Sequence, residues 1–370
     1  MNDTEQVRAL VDRLAQLTLI ESPSLDVAAS ELVVDLLAQW WRDVGAHVRI
    51  ITTSAGANLI ADVAGEGDPV LLVGHSDTVW PVGTLDGDVP WSDDGEVVTG
   101  PGVYDMKSGL LVMLAAAERL RARPHRAFRV IVVCDEEIGS PTTADLLSGC
   151  AEGVRAAIGF ESPHPDGALK IGRRGSSRVR LAVTGRASHA ALDPEGGVSA
   201  IDELVDQLQV LRTIVSDPGL TSEVLCNVGT VRGGGRANVV PAEATAEIGL
   251  RFIDPDTEDR VLSALGALRP IREGAQIQVE VLSHRPAWRA SGADAELLEA
   301  IAAAASGIGQ HVAGRPAAGA GDTNLLGSLG VPTVDGFGPR GGGAHAVDEH
   351  ILTSSLLERV ALLEAFLLSS

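Results

Sequence analysis

The chain has 370 residues, 45% of them hydrophobic and 21% charged, with a formal net charge of -21. That length exceeds what one core usually serves, so two domains are expected in an otherwise ordinary globular composition. The negative charge argues against a nucleic-acid or anionic-membrane partner, which would need a basic face. Cys134, Cys150 and Cys226 have no paired spacing, which fits a reducing compartment without disulfides. The N-terminal residues read as a charged helix rather than a leader, and no run approaches the ~20 apolar residues of a membrane span. The expectation is a cytoplasmic protein. Aromatics make up only 3% of the chain, so its core must be built from Ala, Val, Leu and Ile.

Residues 5–19 and 26–44 read as amphipathic helices, and 46–51 and 57–63 as strands. The compact apolar run 69–74 stops at His75 and suits a buried strand. Residues 77–102 are rich in Gly, Pro and Asp and read as loop. Apolar residues at helical spacing follow over 106–120, then buried-strand runs at 128–134 and 156–160. Strands alternating with helices predict an α/β domain with a largely parallel sheet.

The texture changes near Gly172-Arg173-Arg174-Gly175. Residues 178–184 alternate polar and apolar, as a half-exposed antiparallel strand does. An amphipathic helix over 198–215 places Val198, Ile201, Leu204, Val205, Leu208 and Leu211 on one side. Strands at 223–231, 242–252 and 276–282 and a helix at 257–268 complete a small α+β unit. The α/β texture then returns with a helix at 294–305, a strand at 331–337 and a last helix at 354–368. The economical reading is a catalytic domain (residues 1–174 and 286–370) interrupted by an inserted domain (175–285).

Acidic and histidine residues gather at strand ends and in glycine-rich loops, where a sheet presents catalytic groups. They are His75-Ser76-Asp77, Asp105, Glu136-Glu137, Glu161 and His345. Two imidazoles with several carboxylates suit zinc, cobalt or manganese. His75 and Asp77 point to the same side of an extended segment, which favours His75 as ligand and Asp77 as the acceptor that fixes its tautomer. Asp105 follows Gly100-Pro101-Gly102 and could bridge two cations, but taken alone an N-cap aspartate is the better reading there. The adjacent acids Asp135-Glu136-Glu137 would repel one another without a cation. Adjacent side chains diverge, so Glu136 and Glu137 should play different parts. Glu161 closes the run Ala157-Ile158-Gly159-Phe160, and His345 sits in a Gly-rich loop where backbone can approach a ligand closely.

These segments, with Ser188-His189-Ala190 and Asn238-Val239-Val240-Pro241, occur in an order that resembles the M20 family of dinuclear zinc peptidases and deacylases. The likeness is to its glutamate-carboxypeptidase branch and covers almost the whole chain. It implies two divalent metals per subunit, most simply zinc, with cobalt and manganese as alternatives. His75 and Glu161 would hold one metal, Glu137 and His345 the other, and Asp105 would bridge them. Asp77 would orient His75, and Glu136 would act as general base and then acid. Two divalent cations would then face three carboxylates and one hydroxide. The resemblance also implies a cis peptide bond at Asp105-Met106.

In the inserted domain it implies that His189 helps stabilise the oxyanion from the partner subunit of a homodimer. Asn238 and Arg251 would grip a substrate carboxylate, and lid closure would bring these groups to the metals. Gly321-Asp322-Thr323 resembles a further active-site loop, while Arg173 and Arg174 near the hinge carry no assigned role. The implied activity is amide hydrolysis of an N-acyl amino acid or small peptide with a free C-terminal carboxylate. The alternatives are an N-acetyl or N-succinyl amino-acid deacylase and, from another class, a catalytically silent scaffold.

Overall fold

The computed structural model describes residues 2–368. Contacts divide the chain into two compact units, one formed by residues up to 172, 290–317 and 321 onward, the other by 173–289 with 318–320. No helix among the described residues is long and apolar enough to cross a membrane.

The first unit is built on a six-stranded sheet in the order His47–Thr52, Ala57–Val63, Arg126–Val133, Glu66–His75, Ala156–Gly159, Thr333–Val334. The first two strands pair antiparallel with each other, and Ala57–Val63 pairs antiparallel with Arg126–Val133. The remaining pairings are parallel. The apolar run ending at His75 is buried on both faces. Val70 and Leu72 join Leu59, Ala61, Val130 and Val132 in the core shared with Leu14, Val33, Leu111, Ile301 and Val360 of five helices. Leu71 and Val73 face the other way with Ile60, Ile131 and Val133, covered by Leu147, Cys150 and Leu326. Helices on both faces are what an unbroken apolar strand requires.

Two elements differ from expectation. The strand at 331–337 shortens to Thr333–Val334, because Gly336 turns the chain at a φ of 92° and Asp335 accepts its amide at 2.7 Å. The stretch 77–102 contains two short strands, Ser92–Asp93 and Val97–Thr99. They join Gly341–Gly342 and His350–Leu352 in a small antiparallel sheet. Strands this short carry too few side chains to show a period.

The second unit has a four-stranded antiparallel sheet in the order Leu225–Gly233, Glu243–Phe252, Gly175–Thr184, Gln276–Arg285. Val179, Leu181, Val183, Ala246, Ile248 and Leu250 pack on Leu204, Leu211, Val261 and Leu265 of the helices Ala200–Val215 and Pro255–Gly266. The apolar side expected for 198–215 is only partly buried: Ile201 and Val205 are 36% and 49% exposed, while Glu203 and Gln207 are buried. Glu203 earns that place by accepting the amides of Ile271 and Arg272 at 2.9 and 2.8 Å and the Gln207 side-chain amide at 2.8 Å.

Glu258 is also buried here. One carboxylate oxygen accepts from the Ala287 amide at 2.7 Å, and the other has no hydrogen-bond partner. Burial pushes its pKa up to about 7, and the nearby charges of Asp259 and Asp254 add to the rise. The folded state therefore holds a proton that the unfolded chain releases near pH 4.5, so stability falls as pH rises from there to about 7. Glu258→Gln should unfold at higher denaturant than the parent at pH 8, with the advantage lost at pH 4. Urea titrations at both pH values test this.

Candidate metal centre

The parallel core of the sheet explains how distant residues meet. Glu66–His75 lies between Arg126–Val133 and Ala156–Gly159, parallel to both, with His75 in register with Val133 and Val73 with Gly159. Three adjacent strands thus end at one edge. His75-Ser76-Asp77, Asp135-Glu136-Glu137 and Phe160-Glu161 lie at or just past those ends.

Asp105 comes from a different kind of segment. It is not an N-cap: its backbone is extended (φ -121°, ψ 91°) inside a distorted turn, and the regular helix begins at Ser108. The Asp105-Met106 bond is cis. Met106 then tucks against the central strand, where a Cβ on Gly74 would meet its sulfur at 2.9 Å. Gly102 turns the loop at a φ of 74°. His345 lies in the hairpin between Gly341–Gly342 and His350–Leu352, with a φ of 62°. That conformation is uncommon for a residue with a side chain and recurs at functional sites.

The two oxygens of Asp105 face two different sets of ligand atoms. Oδ1 is 3.3 Å from His75 Nε2, which is itself 3.4 Å from Glu161 Oε1. Oδ2 is 3.2 Å from His345 Nε2, which lies 3.1 Å from Glu137 Oε2. A carboxylate oxygen of Glu136, a ring nitrogen of His75 and a carboxylate oxygen of Glu161 form a group lying within 4.8 Å of one another. His75, Asp105 and Glu137 form a second such group.

The histidine tautomer follows from geometry. His75 Nδ1 lies 2.9 Å from the Asp77 backbone carbonyl, which can only accept, so Nδ1 carries a proton and Nε2 is the nitrogen that faces the carboxylates and would bind a metal once its own proton leaves. The Asp77 carboxylate is the more distant partner at 3.3 Å. It accepts the amides of Glu136 and Glu137, each at 3.1 Å, and the Ser24 hydroxyl at 2.6 Å. Asp77 thereby holds the Glu136-Glu137 turn as well as His75.

The cluster is heavily charged. Burial alone would raise Asp105, yet hydrogen bonds from His345 and His75 hold its carboxyl well below the usual range. Glu161 is raised by burial and by the charge of Asp105. Burial opposes charge on His75, but Asp105, Asp77 and Glu161 lift it well above its ordinary value. His345 is pushed up to about 10 by Asp105 and Glu137. The ion-pair partners of Asp105, Glu137 and Glu161 are these two histidines, with no lysine or arginine among the described residues. The nearby Lys107 is spent elsewhere, donating to the Leu17 and Ile20 carbonyls at 3.1 and 2.9 Å. Glu137 Oε1 is buried without a hydrogen-bond partner. An orphaned carboxylate oxygen and unbalanced negative charge fit cations between the ligand sets.

In the second unit, His189 and Asn238 lie on paired segments: Ala190 donates its amide to the Asn238 carbonyl at 3.0 Å, and His189 bridges to Val239. His189 Nδ1 accepts the amides of Ala191 and Leu192 at 3.2 and 3.1 Å, which leaves the proton on Nε2 of an exposed ring. Arg251 is not brought to Asn238. It sits at the other end of Glu243–Phe252, roughly 27 Å along the strand from Glu243. Asp322 accepts from Ser140, and Thr323 donates to Asp335 at 2.7 Å, tying that loop to the sheet edge. Arg173 is buried, donating to the Gly319 carbonyl at 2.6 Å. Ser24 and Glu349 are supporting residues that the sequence reading did not single out. Glu349 accepts from four donors around Asp105, and its burial raises its pKa. Acids following a histidine by four residues in a Gly-rich loop were the available signal.

The sequence pattern of peptidase family M20/M25/M40 matches residues 71–369. The chain belongs to that family. It is similar to carboxypeptidase G2 of Pseudomonas sp. (strain RS-16), 27% identical over 368 residues covering 96% of this chain and 88% of the relative. It is 30% identical over 305 residues to a putative succinyl-diaminopimelate desuccinylase of Mycobacterium tuberculosis (strain H37Rv), covering 80% and 82%. Its fold matches the crystal structure of Bacillus subtilis YXEP, a dinuclear metal-binding M20 peptidase, with a TM-score of 0.68, 18% identity and coverage of 99% and 98%. Membership makes the chain a metal-dependent amide hydrolase of a dinuclear metal-binding family.

Since His345 holds its proton up to about pH 10 beside Asp105 and Glu137, metal and proton compete for the same nitrogen. Metal loading of the stripped protein at pH 7 should release protons, and affinity should rise with pH toward 10. Calorimetry in two buffers of different ionisation enthalpy measures the release.

Proposed function

We propose that the protein hydrolyses the amide bond of an N-acyl amino acid or small peptide carrying a free C-terminal carboxylate. The observation that carries this reading is the division of the two Asp105 oxygens between the His75–Glu161 and Glu137–His345 sets. In this reading His75 and Glu161 hold one divalent ion, Glu137 and His345 the other, and Asp105 both. Zinc suits these ligands best, with cobalt and manganese as substitutes. When bound, the pair lowers the pKa of water and polarises the scissile carbonyl.

Glu136 takes a proton from the attacking water and returns it to the leaving amine. The Asp77 carboxylate aims it by holding the Glu136 amide. His189 Nε2–H is a donor suited to the developing oxyanion, where loss of one donor typically costs about 10²–10³ in rate. Arg251 and Asn238 take the substrate carboxylate, for which the guanidinium fork is suited. Asn238 precedes the Glu243 end of the strand that carries Arg251 near its other end, an arrangement that supports contributions from two subunits rather than one chain.

The second unit is proposed as the dimerisation unit. Ile201 and Val205 stay exposed on one helix, as do Val228 and Val231 on the nearly uncovered edge strand Leu225–Gly233. An open edge beside exposed apolar residues invites pairing with a second copy. A deacylase acting on an N-acetyl or N-succinyl amino acid is the second reading, supported by the similarity to the desuccinylase. A panel of N-acyl amino acids and dipeptides separates the two.

Glu136→Ala should keep both metals and lose about 10²–10⁴ in kcat. Metal analysis beside initial rates checks this, and near-full activity would end the proposed proton transfer. Mixing inactive Glu136→Ala with inactive His189→Ala should restore about one quarter of parental turnover, since random exchange makes half heterodimers with one intact site each. No recovery despite proven subunit exchange would refute the shared site.

A further inference from the structure

We infer that Glu349 is the positioning residue that locks the Asp105 loop to the His345 hairpin and so sets the spacing of the second metal's ligands. The inference rests on the reading of Asp105 as a shared ligand. Glu349 is wholly buried. Its Oε1 accepts the backbone amides of Tyr104 at 2.9 Å and Asp105 at 3.1 Å. Its Oε2 accepts the Gly102 amide at 3.0 Å and the Trp80 indole N–H at 2.6 Å. All four donors are neutral, so one carboxylate charge is shared across the loop that presents Asp105.

Topology shows why the loop needs it. His350–Leu352 pairs with Val97–Thr99, so the two segments leave the small sheet side by side. Beyond Thr99 the first turns away to carry Asp105, and its amides at 102, 104 and 105 find their acceptor in Glu349. Glu349 follows His345 by four residues in the hairpin itself. A single side chain therefore joins the backbone bearing His345 to the backbone bearing Asp105, whose Nε2 and Oδ2 lie 3.2 Å apart. Glu349 does not touch either ligand atom set, so it acts through Asp105 rather than as a ligand.

An amide cannot replace this carboxylate. In Glu349→Gln, one of the two oxygens becomes an N–H donor facing either the Tyr104 and Asp105 amides or the Gly102 amide and Trp80. Trp80→Phe removes one donor and leaves the three amides satisfied.

The test uses the full chain and two measurements: hydrogen exchange of residues 100–107 in metal-free protein, and zinc affinity by competition with a chelator of known strength. Glu349→Gln is expected to exchange the amides of Gly102, Tyr104 and Asp105 faster than the parent and to bind the weaker of two zinc ions about 10–100-fold less tightly. Trp80→Phe is expected to leave both near parental values. A role in stability alone would lower the unfolding temperature without changing zinc affinity. Parental exchange and affinity in Glu349→Gln, or equal defects in Trp80→Phe, would overturn the inference. A parent that binds fewer than two zinc ions would refute the dinuclear reading instead, and the metal-free exchange would still decide the role of Glu349. Should Glu349→Gln fail to fold, Glu349→Asp, which keeps the charge but withdraws it by one methylene, carries the same measurements and expectations.

Discussion

Like-charge repulsion among Asp77, Asp105, Glu136, Glu137 and Glu161 is the constraint around which the first unit is arranged. Among the described residues these acids converge with two imidazoles, and all five are buried or half-buried. Protons on His75 and His345 can relieve the repulsion only in part. Divalent cations relieve it more fully, which is why the same geometry that strains the metal-free protein favours metal. The second oxygen of Glu137, buried without a donor, marks where the metal-free arrangement is least satisfied.

The scaffold holds these charges by directing backbone donors to carboxylates outside the proposed ligand sets. Asp77 takes the amides of Glu136 and Glu137, and Glu349 takes those of Gly102, Tyr104 and Asp105. Each fixes a loop that has left regular structure. Charged hydrogen bonds of this kind are short and roughly twice as strong as neutral ones, and they define position as well as energy. A wide apolar core behind them, built mainly from Val, Leu, Ile and Ala on both faces of the sheet, makes the strand ends rigid anchors.

The placement of His75, Glu136, Glu137 and Glu161 was legible in the sequence because each ends or follows an unbroken apolar run. Such runs are buried parallel strands, and adjacent parallel strands end at one edge. Asp105 was less legible. Its preceding glycines and following apolar period read as a helix start, but the helix begins at Ser108 and Asp105 is extended. The hairpin that carries His345 rests on strands of two or three residues, too short for any period. The role of Glu349 was not legible beyond its place four residues after His345, because three of its four donors are backbone amides more than 240 residues away in sequence. In the second unit, helical spacing correctly located the Ala200–Val215 helix but not which face is buried, since Glu203 and Gln207 are held inside by specific hydrogen bonds. Periodicity reports apolar residues, and it cannot report a polar side chain whose partners pull it inward.

The most direct measurement is anomalous diffraction at the zinc edge from crystals of the zinc-loaded protein. Two peaks per chain are expected, one against Asp105 Oδ1, His75 and Glu161, the other against Asp105 Oδ2, His345 and Glu137, each at about 2.0–2.2 Å from its nitrogen and oxygen ligands. A single peak, or two that leave Asp105 on one of them only, would contradict the shared role of Asp105.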